Sequence, residues 1–204
     1  VPEPSPAESI PAPSRTSLLA VTFALEVALA AVAFVAMRLT GVRPQLDAGA
    51  LDVLAGASAG AVMAAGALSL IRTRARLIAR LRSDFVMVIR LFERAKVPDL
   101  LLLSVLAGVA EELLFRGFLQ QWLAGRVNLH VAILGTAILF GLAHAVSRSY
   151  FVFATVLAAL LGYLYHITGS LPAAMLAHGL YDFLALVFGT RFYAKPHSRT
   201  TDAA

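Results

Sequence analysis

LLAVTFALEVALAAVAFVAM, Leu18 to Met37, is a run of 20 residues with a single charge, Glu26. As a helix it would span about 30 Å, the thickness of a bilayer's hydrocarbon core. Ala28-Leu29-Ala30 inside it resembles a signal-peptidase site. A signal peptide's apolar region is only about 7–15 residues long, however, so the run reads as an uncleaved span. Comparable runs follow at 53–71, 99–122, 130–146, 150–168 and 171–189. A segment in lipid must satisfy its own backbone, so each is helical. The reading is an all-α polytopic membrane protein with about six transmembrane helices.

Composition agrees. Of 204 residues 59% are apolar, which is material for roughly six spans of about 20 residues each. Only 14% are charged, against about 25% in soluble domains, and mean hydropathy is +0.80. A water-soluble globular domain is excluded. The absence of cysteine excludes disulfide frameworks, thiol catalysis and Cys-based zinc sites.

The net charge of +5 is not a nucleic-acid signature, because eight of the 17 basic residues lie between two hydrophobic runs: Arg72, Arg74, Arg76, Arg80, Arg82, Arg90, Arg94 and Lys96. Such clustering marks a cytoplasmic loop. Alternating spans then place both termini in the cytoplasm, with 13 basic residues inside and three outside (Arg38, Arg43, Arg126). The reading is an integral protein of the bacterial cytoplasmic membrane. From Ala75 to Arg94, Leu77, Ile78, Leu81, Phe85, Val88, Ile89 and Phe92 share one helical face, with Arg76, Arg80, Ser83, Asp84, Arg90 and Arg94 opposite. This is the pattern of an interfacial amphipathic helix, and the Arg72–Lys96 stretch is expected to meet anionic headgroups.

The chain thus divides into four parts. Residues 1–16, with five of the nine prolines, form a disordered tail. Residues 17–98 carry two spans and the Arg-rich helix, 99–189 form a membrane core, and 190–204 are a cytoplasmic tail.

Charges inside spans are costly and point to function. In Ala107–Gln120, AGVAEELLFRGFLQ, Glu112 and Arg116 are spaced i,i+4 and can pair. Glu111 lies about 100° around the helix, in a row with Ser104, Gly108 and Phe115 and with no basic residue. A carboxylate left without a partner in a desolvated site suits general acid–base work. The fourth span offers His144, in a row with Phe140 and Gly141; the sixth offers His178 and Asp182, again i,i+4. Two imidazoles and a carboxylate are able to position and deprotonate a water, with or without Zn²⁺. Glu26, Asp52, His130, Tyr163 and His166 are assigned no chemistry.

EELLFR (111–116), FGLAH (140–144) and HGLYD (178–182) resemble the EExxxR, FxxxH and HxxxN/D motifs of the CPBP (Abi) intramembrane endopeptidases. That group includes the type II CAAX prenyl endopeptidases and bacteriocin-processing or immunity proteins. The resemblance covers roughly residues 99 to 189. It implies that Glu111 and His144 activate a water and that His178 and Asp182 stabilise the oxyanion. Glu112, Arg116 and Phe140 would hold the site together. Many members have Asn where this chain has Asp182, and an Asp must be protonated to donate to an oxyanion. A zinc ion, if present, would take Glu111, His144 and His178, but a metal-free reaction is preferred because no HExxH spacing occurs.

The resulting expectation is an intramembrane endopeptidase acting on a membrane-associated protein or peptide. The alternatives are a catalytically silent relative in immunity, scaffolding or regulation and, further off, an ion or proton transporter. GASAG (56–60) sits mid-span, where Gly56 and Gly60 form a packing face rather than a serine elbow. Ideal helices place Glu111 about 18 Å from the inner end of its span and His144 about two turns nearer the cytoplasm.

Overall fold

The computed structural model describes residues 13–73, 75 and 78–193. Helices α1 (Arg15–Thr40), α2 (Ala50–Arg72), α3 (Ala79–Leu91) and α4 (Val97–Glu112) come first. A π-helical segment (Leu113–Gln120) continues α4 into the short α5 (Gln121–Ala124). Then come α6 (Leu129–Ala143), α7 (Arg148–Thr168) and α8 (Leu171–Tyr193), with no strand among the described residues. α1, α2, α7 and α8 are each long and apolar enough to cross a membrane. The protein is an all-α polytopic membrane protein.

Helix boundaries follow local chemistry. Ser14 caps α1, its Oγ accepting from the Ser17 N–H, so α1 starts two residues inside the stretch expected as tail. Gly41 ends α1 in the left-handed region at φ 74°, which glycine adopts without a Cβ clash. The remainder of the expected tail, residues 1–12, lies outside the described residues, as do 194–204. α8 runs to Tyr193, four residues past the expected end of the core.

The fourth span differs most from expectation. Instead of 130–146 the helix stops at Ala143, because His144 turns its own Nδ1 back to the Phe140 carbonyl at 2.9 Å. Ser147 then caps α7, accepting from the Tyr150 N–H. The 15-residue α6 is about 22 Å long.

Packing is organised around α8, which lies against α2 and α4. In a bilayer helices associate through close packing of small residues. Gly56 and Gly60 of α2 meet the backbone of Ala173 and Ala177, and a Cβ at Gly60 would lie 2.6 Å from the Ala177 carbonyl. Across α8, Gly108 of α4 is equally tight against Met175 and Gly179. α6 pairs with α7.

α1 leans on α4 and the π segment. Its foot is tied down by Arg15, whose guanidinium reaches both carboxylate oxygens of Asp99 at 2.6 Å. Phe23, Phe34 and most of its apolar residues are exposed, the pattern of a lipid-facing helix.

The amphipathic segment is helical over Ala79–Leu91; Arg74, Arg76 and Leu77 lie outside the described residues. Its apolar face meets the bundle: Phe85 and Ile89 join Met63, Leu161, Ala177 and Tyr181 in one core cluster. Asp84, expected on the exposed face, is buried, because Ser147 Oγ donates to its carboxylate and Arg80 Nε approaches within 3.3 Å.

Candidate active site

Glu111 and Glu112 are the last two residues of α4, just before the π segment begins. Such widened turns recur at functional sites. Here the segment carries Arg116 inward: its Nη1 donates to Glu112 Oε1 at 2.8 Å and its Nη2 to the Ala158 carbonyl of α7 at 2.6 Å. Glu112 is fully enclosed and Arg116 is 1% exposed. An ion pair held this deep depends on such bonds to offset its desolvation, although Glu112 Oε2 and Arg116 Nε have no hydrogen-bond partner among the described residues.

The same Glu112 oxygen also accepts from His178 Nδ1 at 2.8 Å. One carboxylate oxygen therefore joins α4, the π segment and α8. Sequence reasoning missed this bond, since no spacing rule links residues 112 and 178. With Nδ1 committed, His178 presents Nε2 towards Asp182, whose Oδ2 lies 3.5 Å away. Asp182 is half-buried and faces the cavity.

Glu111 stands free of this network. Its Oε2 is enclosed and has no hydrogen-bond partner among the described residues. His144 Nε2 lies 3.6 Å from it, longer than a hydrogen bond. The two-turn depth gap expected from ideal spans closes because α6 ends at Ala143 and leaves His144 on the cap, its ring turned to Glu111. His144 Nδ1 donates to the Phe140 carbonyl, so the neutral ring offers Nε2 as an acceptor.

Phe140 packs among these groups. Its ring stacks on His144 at 4.3 Å and meets His178 edge-on at 5.8 Å. The Arg116 guanidinium lies 5.1 Å from its centroid. Phe115 closes the other side at 5.0 Å.

Glu111, His144, His178 and Asp182 line one cavity of about 230 Å³ between α1, α2, α3, α4, α6, α7 and α8. All seven residues singled out from sequence thus lie in this cavity or directly behind it. Glu26 of α1, to which sequence reasoning gave no chemistry, also lines it. Its signal was legible, for it is the one charge in an otherwise apolar span. His130 and Tyr163 bond each other at 3.1 Å and are not among the residues lining this cavity.

A zinc site would need Glu111, His144 and His178 to converge on one point. His178 gives one ring nitrogen to Glu112 and directs the other towards Asp182. Among the described residues no group of three or more His, Asp or Glu side chains is arranged to hold a metal. The donor set does not fit zinc as arranged.

Residues 93–184 match the family described as Type II CAAX prenyl endopeptidase Rce1-like. The chain is also similar to the uncharacterized protein YpbD of Bacillus subtilis (strain 168), 31% identical over 96 residues. That match takes in 46% of this chain and 47% of YpbD, so it spans about half the length of each. No solved structure matches the chain. The matched region holds the glutamate pair, Arg116, Phe140, both cavity histidines and Asp182. With this helical core around them, residues 93–184, less than half of the chain, are similar to the Rce1-like type II CAAX prenyl endopeptidases.

Proposed function

We propose that this protein is an intramembrane endopeptidase that hydrolyses a peptide bond by an activated water, with a membrane-associated protein or peptide as substrate. The observation that carries the reading is the gap between Glu111 Oε2 and His144 Nε2: two acceptors 3.6 Å apart in one cavity, joined by no direct hydrogen bond. A water that donates one proton to each presents its lone pair to a carbonyl carbon. As it attacks, its proton passes to Glu111, and Glu111 returns a proton to the leaving nitrogen when the C–N bond breaks.

The developing oxyanion needs a donor close by. His178 supplies it from Nε2–H in its imidazolium form, held from behind by Glu112. Asp182, as a carboxylate, cannot donate. Its place 3.5 Å from Nε2 suits it to support the charged ring. Arg116 and Phe140 keep Glu112 and the two histidines in register.

The protein is placed in the bacterial cytoplasmic membrane with both termini cytoplasmic. The exposed Arg80, Arg90 and Arg94 then face anionic headgroups. Quantitative proteomics of membrane peptides, wild type against Glu111→Ala, tests the activity. Peptides cleaved only by wild type are the expected result; identical peptide sets would overturn it.

A further inference from the structure

We propose that Glu26 selects the substrate by receiving a cationic group, a lysine ammonium or arginine guanidinium, that the bound peptide carries into the cavity beside Glu111. The inference rests on the reading of the site as a peptide hydrolase. Three observations support it.

First, Glu26 is 4% exposed, its Oε2 is enclosed without a partner, and no cation pairs with it among the described residues. Leaving a carboxylate buried and unpaired is expensive. Such a group persists where something entering the site completes it.

Secondly, Glu26 is not explained by helix packing. α1 buries only Glu26 and Ala33 among its described residues. A leucine would serve an otherwise lipid-facing helix better, since a charge in a span carries a heavy insertion cost.

Thirdly, the cavity's charge is net negative. Its described lining sets the carboxylates of Glu26, Glu111 and Asp182 against the single imidazolium of His178, with no lysine or arginine. The nearby Arg116 is committed to Glu112. The remaining walls are largely apolar, with Phe85, Phe92, Phe153 and Leu157 among them. Such a cavity favours a mostly apolar peptide with one basic side chain, because low-polarity walls strengthen a charge pair.

The test uses the full chain in nanodiscs of zwitterionic lipid, with Glu111→Gln to prevent turnover. The probes are apolar peptides of transmembrane length bearing one lysine at successive positions, each matched with a norleucine peptide. At one position or two adjacent ones, lysine should tighten binding about tenfold, in line with a charged hydrogen bond. Glu26→Leu should abolish that preference without loss of folded protein, and Glu26→Gln should reduce it. No lysine preference at any position, or a preference that survives Glu26→Leu, overturns the proposal. The same peptides offered to protein with Glu111 intact separate the two readings. Lysine-selective binding without cleavage removes the hydrolase and keeps the cation site. Cleavage with no lysine preference does the reverse.

Discussion

Glu112→Gln is the perturbation whose outcome the geometry fixes most tightly. The two side chains have nearly the same shape, so changes in packing are small. What changes is one oxygen that accepts from Arg116 and from His178 at 2.8 Å each. A glutamine oxygen carries no formal charge, and its amide nitrogen cannot accept. Arg116, 1% exposed, is left as a buried cation without its counter-ion, a defect that costs about 3–5 kcal/mol. Unfolding by SDS titration, followed through the single tryptophan, Trp122, would read the loss. The double variant Glu112→Leu/Arg116→Leu removes both charges and should regain most of that stability, as apolar replacements of buried pairs do. It retains the cost of an unpartnered His178 Nδ1, about 1–3 kcal/mol, and it should be inactive because the ring is no longer held. A Glu112→Gln protein that unfolds at the wild-type midpoint refutes the reasoning. So does a double variant less stable than the single one.

Other outcomes follow from the same structure. Glu111→Gln should accumulate normally, since Glu111 Oε2 has no hydrogen-bond partner among the described residues, while turnover falls by about 10²–10⁴, the usual contribution of a general base; near-wild-type turnover would remove it from the mechanism. Gly60→Leu must part α2 from α8 at the Ala177 backbone, 2.6 Å from the new Cβ, and should lose at least about 1–3 kcal/mol in the same titration. Gly135→Ala meets nothing within 4 Å and should stabilise α6 slightly, by up to about 1 kcal/mol. Activity should survive chelator dialysis; loss that stoichiometric zinc restores would show that the donors rearrange to hold a metal.

The membrane class and the helical crossings were legible because they depend on long apolar runs. The Glu112–Arg116 ion pair was legible for a local reason: the two are four residues apart, and their pairing survives the change from α to π winding. The π segment itself was not, since LLFRGFLQ carries no proline or other marker of a widened turn. The bond from His178 to Glu112 joins residues 66 positions apart and arises only from the α4–α8 crossing. Asp84 was placed among the polar residues of its helix by angle alone. Its burial depends on a capping serine in a different loop. Glu26 was read as an isolated charge because what it faces is set by six other helices.

The shortness of α6 has a consequence for how the proposed hydrolysis would be supplied with water. At about 22 Å the helix falls some 8 Å short of a typical hydrocarbon core. A bilayer meets such mismatch by thinning locally. The dimple would form at the end of α6 where His144 caps the helix with its side chain 36% exposed. Hydrolysis consumes one water per bond cut, and water is scarce in lipid. Thinning at that rim would bring the aqueous phase close to His144, the acceptor that holds the water in the proposed mechanism, so replenishment would need no long channel. Lipids of longer acyl chain, which resist the dimple, should slow turnover more than they slow peptide binding.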